Sequence, residues 1–231
     1  MTTYNKDVME AQHETHTMRA RIGHLFAQAG SVLREHRSTY IRLNIAYYGV
    51  VAVAMVFVAS YPAIQQALTE SVVLSFSEGP LSGVAEAYGK GNAATAALLT
   101  FGFNFFAGAI VVLVLPSLLI PFCGVGLGLI RATLWGLLLA PTTPELQVAM
   151  IPHSLVLLLE GQGYILAMLA VWIHGRGFVS PGTVGAASHV EGWLKALRRS
   201  LWIYPLVAIT LAIAAIYEAI EVIYFIPRLV S

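Results

Sequence analysis

Long apolar runs separated by short polar breaks fill the chain from residue 43 onward, whereas residues 1–42 mix apolar and charged positions. A helix rises about 1.5 Å per residue, so about 20 apolar residues cross a hydrocarbon core about 30 Å thick. On that measure the pattern predicts spans over about 43–60, 93–120, 122–140, 146–173 and 201–226. Tyr61-Pro62 ends the first run, and Pro116 and Pro121 bracket the end of the second. The small residues of Cys123-Gly124-Val125-Gly126-Leu127-Gly128 then permit a tight turn or a close helix contact. Pro141-Thr142-Thr143-Pro144 closes the third run. Residues 61–92 carry Glu70, Glu78, Glu86 and Lys90 around a Gly79-Pro80 breaker and read as a mixed loop. A sixth span arises if residues 65–85 re-enter the membrane. The expected fold is all-α, a polytopic transmembrane helical bundle of about five spans, with residues 1–42 as a separate N-terminal segment and 43–231 as the membrane domain.

Inside residues 1–42, Met18, Ile22, Leu25, Phe26, Ala29 and Leu33 recur at helical spacing between Arg19, His24, Gln28 and Arg34. This is an amphipathic helix that packs on the membrane domain or the membrane surface. A second amphipathic stretch holds Trp193, Leu194, Lys195, Leu197, Arg198 and Arg199, the composition of an interfacial helix.

Composition sharpens the class. Hydrophobic residues make up 58% and charged residues 11% of the chain, against about a quarter charged in soluble domains. Mean hydropathy is +0.75, and no residue from 91 to 130 carries a formal charge. The net charge of +1 argues against nucleic acid as a partner. Cys123 is the only cysteine, which excludes an intrachain disulfide and a cysteine-based metal site. No short apolar stretch opens the chain, so the first span is expected to serve as its own insertion signal. Basic residues concentrate in two places, Lys6 to Arg42 and Arg176 to Arg199, while the 61–92 segment offers Lys90 alone, the 141–145 loop none and the tail Arg228. Five spans put both basic segments on one side, which the positive-inside rule makes cytoplasmic. The expectation is a multi-pass protein of the inner (cytoplasmic) membrane, N-terminus cytoplasmic and C-terminus outside.

Ionisable groups in hydrocarbon cost at least about 2.5 kcal/mol each, so they are the informative positions. They are Arg131, His153, Glu160, Glu218 and Glu221, joined by the neutral Asn104 and Gln162. Counting about 1.5 Å per residue from the outer end places His153 roughly 10 Å and Glu160 roughly 20 Å deep on one helix face. Glu218 falls roughly 25 Å along the last span, in the outer half, with Glu221 three residues beyond on the same face. The arithmetic predicts one polar cluster, with Arg131 paired to Glu160 or Glu218. Such a cluster can be glue between helices, a transport or proton-relay site, or a metal-dependent catalytic site. The i, i+4 histidine pair of a zinc-protease helix is not present. His13, His16, His24 and His36 read as solvated. No metal, cofactor or catalytic group is expected.

Several pieces in order resemble the stage II sporulation protein M family of bacterial membrane proteins. Leu33-Arg34-Glu35-His36-Arg37-Ser38-Thr39-Tyr40 precedes the first span, and Asn104 sits in Phe103-Asn104-Phe105-Phe106-Ala107-Gly108. A Gly-rich turn, Ile151-Pro152-His153-Ser154, Glu160 and a closing Ile216-Tyr217-Glu218-Ala219-Ile220 with Ile226-Pro227 follow. Cys123-Gly124 stands where the family carries Asn-Gly, and the acidic residue after the histidine lies further along the helix. The resemblance implies five spans, a cytoplasmic N-terminus and a non-enzymatic role in a membrane complex. The expected function is therefore a scaffold or complex subunit with a membrane or cell-envelope protein partner. A permease-like carrier of a small or lipidic solute is the alternative, and it requires a cavity at the cluster. The small-residue faces Gly102/Ala109 and Gly124/Gly128 allow packing within one chain or in a homo-oligomer.

Overall fold

The computed structural model describes the backbone of residues 2–79 and 81–230 and the side chains of residues 18–21, 23–79 and 81–229. His13, His16 and Ile22 therefore fall outside the described side chains, and Pro80 outside the described residues. The described chain is helical, with no strand among the described residues.

Helix α1 (Thr2–Glu35) runs almost directly into α2 (Arg37–Ala59), interrupted only at His36. The membrane-directed helix thus begins at Arg37, inside the segment expected to precede it. Among its described side chains, those of the last turns of α1 are the buried ones. Ala29 and Val32 are fully buried, while Met18 and Phe26 of the expected stripe remain 62% and 45% exposed. His24 stacks edge-on against Trp202, and Arg199 Nη2 lies 2.6 Å from Glu35 Oε2, which fastens α1 to the C-terminal part of the chain.

Residues 61–92 form a helical hairpin instead of the expected loop. Helix α3 (Pro62–Ser77) opens with proline at its first turn, where a missing N–H costs nothing, and α4 (Ser82–Gly89) follows the break at Gly79. The scattered charges that suggested a loop lie on solvent-facing or lipid-facing positions, and one polar side chain turns inward. Gln65 is buried, donating at 2.9 Å to the carbonyls of Leu138 and Ala140 and accepting a bond from the Thr142 hydroxyl. That side chain ties the hairpin to the turn over residues 138–142.

Helix α5 (Ala93–Gly102), capped by Asn92, continues as a wide π-helical stretch (Phe103–Val114) and a short α6 (Leu115–Leu119). After a turn in which Phe122 adopts φ 67°, α7 (Cys123–Leu139) returns. Helix α8 (Pro144–Val179) has 36 residues, about 54 Å at 1.5 Å per residue, and is the axis of the bundle. From Glu160 to Gly177 nearly every one of its residues is buried. Helix α9 (His189–Ser200) leads into α10 (Tyr204–Ile220), a π-type turn (Glu221–Phe225) and α11 (Ile226–Val230).

Four of these segments, Arg37–Ala59, Ala93–Leu119, Pro144–Val179 and His189–Leu229, are long and apolar enough to cross a membrane. Helix α7 is apolar but shorter, at 17 residues. Small residues set the helix spacing, as expected, and do so within one chain. A Cβ on Gly124 would lie 2.1 Å from the Leu113 carbonyl oxygen, and one on Gly128 would lie 2.5 Å from Met168 Sδ. The Gly-rich motif is thus a close helix contact, and the turn precedes it. Of the other pair, Ala109 is fully buried and Gly102 faces open space. The expected interfacial helix α9 packs tightly on α8, where Gly192 and Gly177 meet so closely that a Cβ on either would overlap the other's backbone.

Candidate functional site

Asn104, Arg131, His153, Glu160, Glu218 and Glu221 come together where α5, α7, α8 and α10 converge. Arg131 stands halfway along α7, Asn104 at the start of the π-helical stretch, and Glu221 at the start of the second π-type turn. The two wide turns are where the backbone departs from α geometry to bring cluster residues inward. Such turns concentrate at functional positions.

The six residues divide into two groups. The first is closed on itself. Asn104 Nδ2 donates to Glu160 Oε1, and Arg131 Nη2 lies 3.4 Å from Asn104 Oδ1 and 3.8 Å from Glu160 Oε2. Of the two expected partners for Arg131, the carboxylate it meets is Glu160. Tyr164 completes this group, donating at 3.0 Å to Asn104 Oδ1 while the Arg131 guanidinium lies 3.9 Å above its ring. Gly108 makes this approach possible, since a Cβ there would sit 2.6 Å from the Tyr164 hydroxyl. Buried polar groups of this kind fix helix register.

The second group is left open. His153 Nδ1 lies 3.0 Å from Glu221 Oε1, and Glu221 is fully buried. Glu221 Oε2, Glu218 Oε2 and Arg131 Nε are buried with no hydrogen-bond partner. A carboxyl oxygen held out of water in this way requires a proton, a cation or a donor from a ligand.

Arg131, His153 and Glu218, though not Glu221, also line a cavity of about 360 Å³. Its polar floor is Asn104, Arg131, His153, Glu160 and Glu218, and Tyr88 and Thr100, 3.2 Å apart at their hydroxyls, flank it. Val72, Phe76, Leu81 and Val84 of the α3–α4 hairpin supply an apolar roof, and Trp135 and Leu138 a wall. The hairpin is therefore the cover of the polar cluster. The sequence reading missed Tyr88, Thr100, Tyr164 and the roof. Gln162, singled out with the cluster, belongs elsewhere. It accepts from the Tyr40 hydroxyl and donates at 2.7 Å to Asn44 and 3.0 Å to Tyr48, joining α8 to α2.

Chemically the cavity offers one guanidinium, an imidazole and two carboxyls at the end of an otherwise apolar chamber. That arrangement suits an amphiphilic molecule whose polar end supplies both a donor and an acceptor. No group of three or more histidine, cysteine, aspartate or glutamate residues is arranged to hold a metal ion among the described residues. No family model matches the chain, and neither a curated protein nor a solved structure matches it, so the chemistry of the site rests on its own residues.

Proposed function

We propose that this chain is a multi-pass protein of the cytoplasmic membrane that admits a small amphiphilic or lipidic solute into the cavity at Glu218, as a permease-like carrier. Five spans, with α7 as the short fifth, place the N-terminal segment and the 174–200 segment together on the cytoplasmic side, where their basic residues belong. The observation that carries the reading is the chamber of about 360 Å³ in which apolar side chains converge with Arg131, His153, Glu160 and Glu218. Pockets for small molecules have about 300–1,000 Å³, apolar walls and a few convergent polar groups.

A second reading, a scaffold or complex subunit akin to the stage II sporulation protein M family, is supported by the closed group around Asn104. Those side chains bond to one another, with Arg131 Nε left over, and fix helices, which is all a scaffold needs. The two readings separate in one preparation. The protein is purified in mild detergent and examined by native mass spectrometry beside Glu218→Gln and the cavity-filling Val84→Trp. A stoichiometric small molecule or lipid that is lost in both stably folded variants supports the carrier. A stoichiometric protein partner, retained in both variants with no small molecule bound, supports the scaffold and overturns the carrier.

A further inference from the structure

A second chamber, of about 380 Å³, opens at the other end of α8. At 1.5 Å per residue Arg176 lies about 24 Å along the helix axis from Glu160, so the two sites share no residue and no wall. Three elements converge on it, the α1–α2 junction, the last turn of α8 and helix α9. They contribute Arg176, Lys195 and Arg199, with Glu35 as the single lining carboxylate and His36 beside it. Ile173 and Val184 form an apolar wall behind these groups.

The charges there do not balance. Arg199 is bound to Glu35 at 2.6 Å, and Lys195 to Glu191 at 2.7 Å and to the Gly185 carbonyl at 2.8 Å. Arg176 makes no side-chain hydrogen bond or ion pair among the described residues. Its guanidinium shares the chamber with two other cations, while the Glu35 carboxylate faces Arg199 through Oε2 and lies 3.5 Å from His36 through Oε1. Clustered cations around a cavity raise one another's energy until an anion joins them, and the planar guanidinium fits phosphate oxygens two at a time.

We propose that this chamber binds a phosphate group, presented by an anionic phospholipid headgroup or free in solution, with Arg176 as its principal contact. The aromatic residues at this end bear on the lipid source. Trp193, beside Phe178 and Val190, and Trp202, against His24, lie at this end, and Trp gathers at headgroup depth in membrane proteins. Val190, Leu194 and Leu201 of the adjoining α9 segment are exposed, at 66%, 45% and 56%, and offer acyl chains an apolar surface beside the charged chamber. Basic pockets between membrane helices on the cytoplasmic side recognise anionic headgroups in this manner. The inference is independent of the proposed role of the Glu218 cavity.

The test is lipid titration of the full chain in uncharged detergent, followed by native mass spectrometry and thermal stability. Phosphatidylglycerol, phosphatidylcholine and inorganic phosphate are the probes. Arg176→Gln is the main variant because it breaks no native contact, and Arg42→Gln, exposed on α2, is the control for bulk charge. Phosphatidylglycerol binding that falls about fivefold in Arg176→Gln and is unchanged in Arg42→Gln supports the site. Inorganic phosphate that competes at millimolar concentration assigns the site to a free anion, and failure to compete assigns it to the lipid. Equal losses in the two variants, or equal binding of phosphatidylglycerol and phosphatidylcholine, overturn the proposal. Should Arg176→Gln not fold, Lys195→Gln carries the same comparison.

Discussion

Asn104→Leu is the substitution that most directly probes how the bundle is held together. Leucine shares asparagine's γ-branched outline but is bulkier, so the change removes the hydrogen bonds, opens no void and adds some crowding. Asn104 donates to Glu160 and accepts from Arg131 and Tyr164, three side-chain bonds in all. Hydrogen bonds between membrane helices average about 0.6 kcal/mol and reach about 1.7. The loss is therefore about 2 kcal/mol at the mean and about 5 at the upper limit. The upper part of that range applies here, because the change leaves a buried carboxylate and guanidinium short of a partner. At about 2–4 °C per kcal/mol for a chain of this size, the unfolding midpoint falls by at least about 4 °C. Cys123, the sole cysteine and half-buried at the start of α7, gives the assay, since a thiol-reactive fluorophore reports unfolding at one known position. The partner experiment is a cycle with Glu160→Leu. Residues in one network couple by about 0.5–3 kcal/mol, so the double variant must lose less than the sum. A midpoint within 1 °C of the native protein, or strict additivity with Glu160→Leu, would refute the closed network.

Gly192→Ala brings a Cβ to 2.2 Å from the Gly177 carbonyl oxygen and should cost about 1–3 kcal/mol in the same assay, whereas Gly126→Ala, with nothing within 4 Å, should be neutral or stabilising. Gln65→Leu cuts the ties from α3 to Leu138, Ala140 and Thr142, and hydrogen exchange across residues 62–89 should quicken by at least about tenfold while α8 stays protected. At His36, burial is the main influence and holds the imidazole pKa below its ordinary 6.5; Arg199 and Arg176 act in the same direction and Glu35 against it. The unfolded chain then binds the extra proton first, so stability declines as pH falls through about 6.5 toward the lowered native value. Replacing His36 with asparagine should flatten that acid limb, and an unchanged pH profile would remove His36 as its cause.

The sequence showed the ionisable cluster clearly because hydrocarbon makes each charged position costly. Asn104, Arg131, His153, Glu160, Glu218 and Glu221 do converge. Which pairs form was not legible, because the wide turns at Phe103 and Glu221 rotate side chains away from a regular helical register and leave no mark in composition. Tyr88 and Tyr164 escaped notice since tyrosine is at home both in apolar packing and in polar sites. The hairpin over 61–92 was hidden by its own charges. Glu70, Glu78 and Glu86 resemble loop residues until Gln65 is seen to anchor the segment. The first stripe, expected to pack on the membrane domain or the membrane surface, meets the bundle through Ala29 and Val32, while Met18 and Phe26 stay clear of it.

The burial of α8 also bears on how the chain is made. Gly163 abuts Leu211 and Gly177 abuts Gly192 and Ala196, so two of the surfaces that sheathe this helix belong to segments synthesised after it. During insertion α8 therefore waits in the bilayer with bare glycine faces, and with Glu160 guarded only by the preceding helices. Assembly is complete only when α9 and α10 close over it. Chains interrupted beyond residue 179 would present to the cell an unshielded helix, a natural target for membrane proteases. The final 52 residues, under a quarter of the chain, are thus what cover these faces of α8.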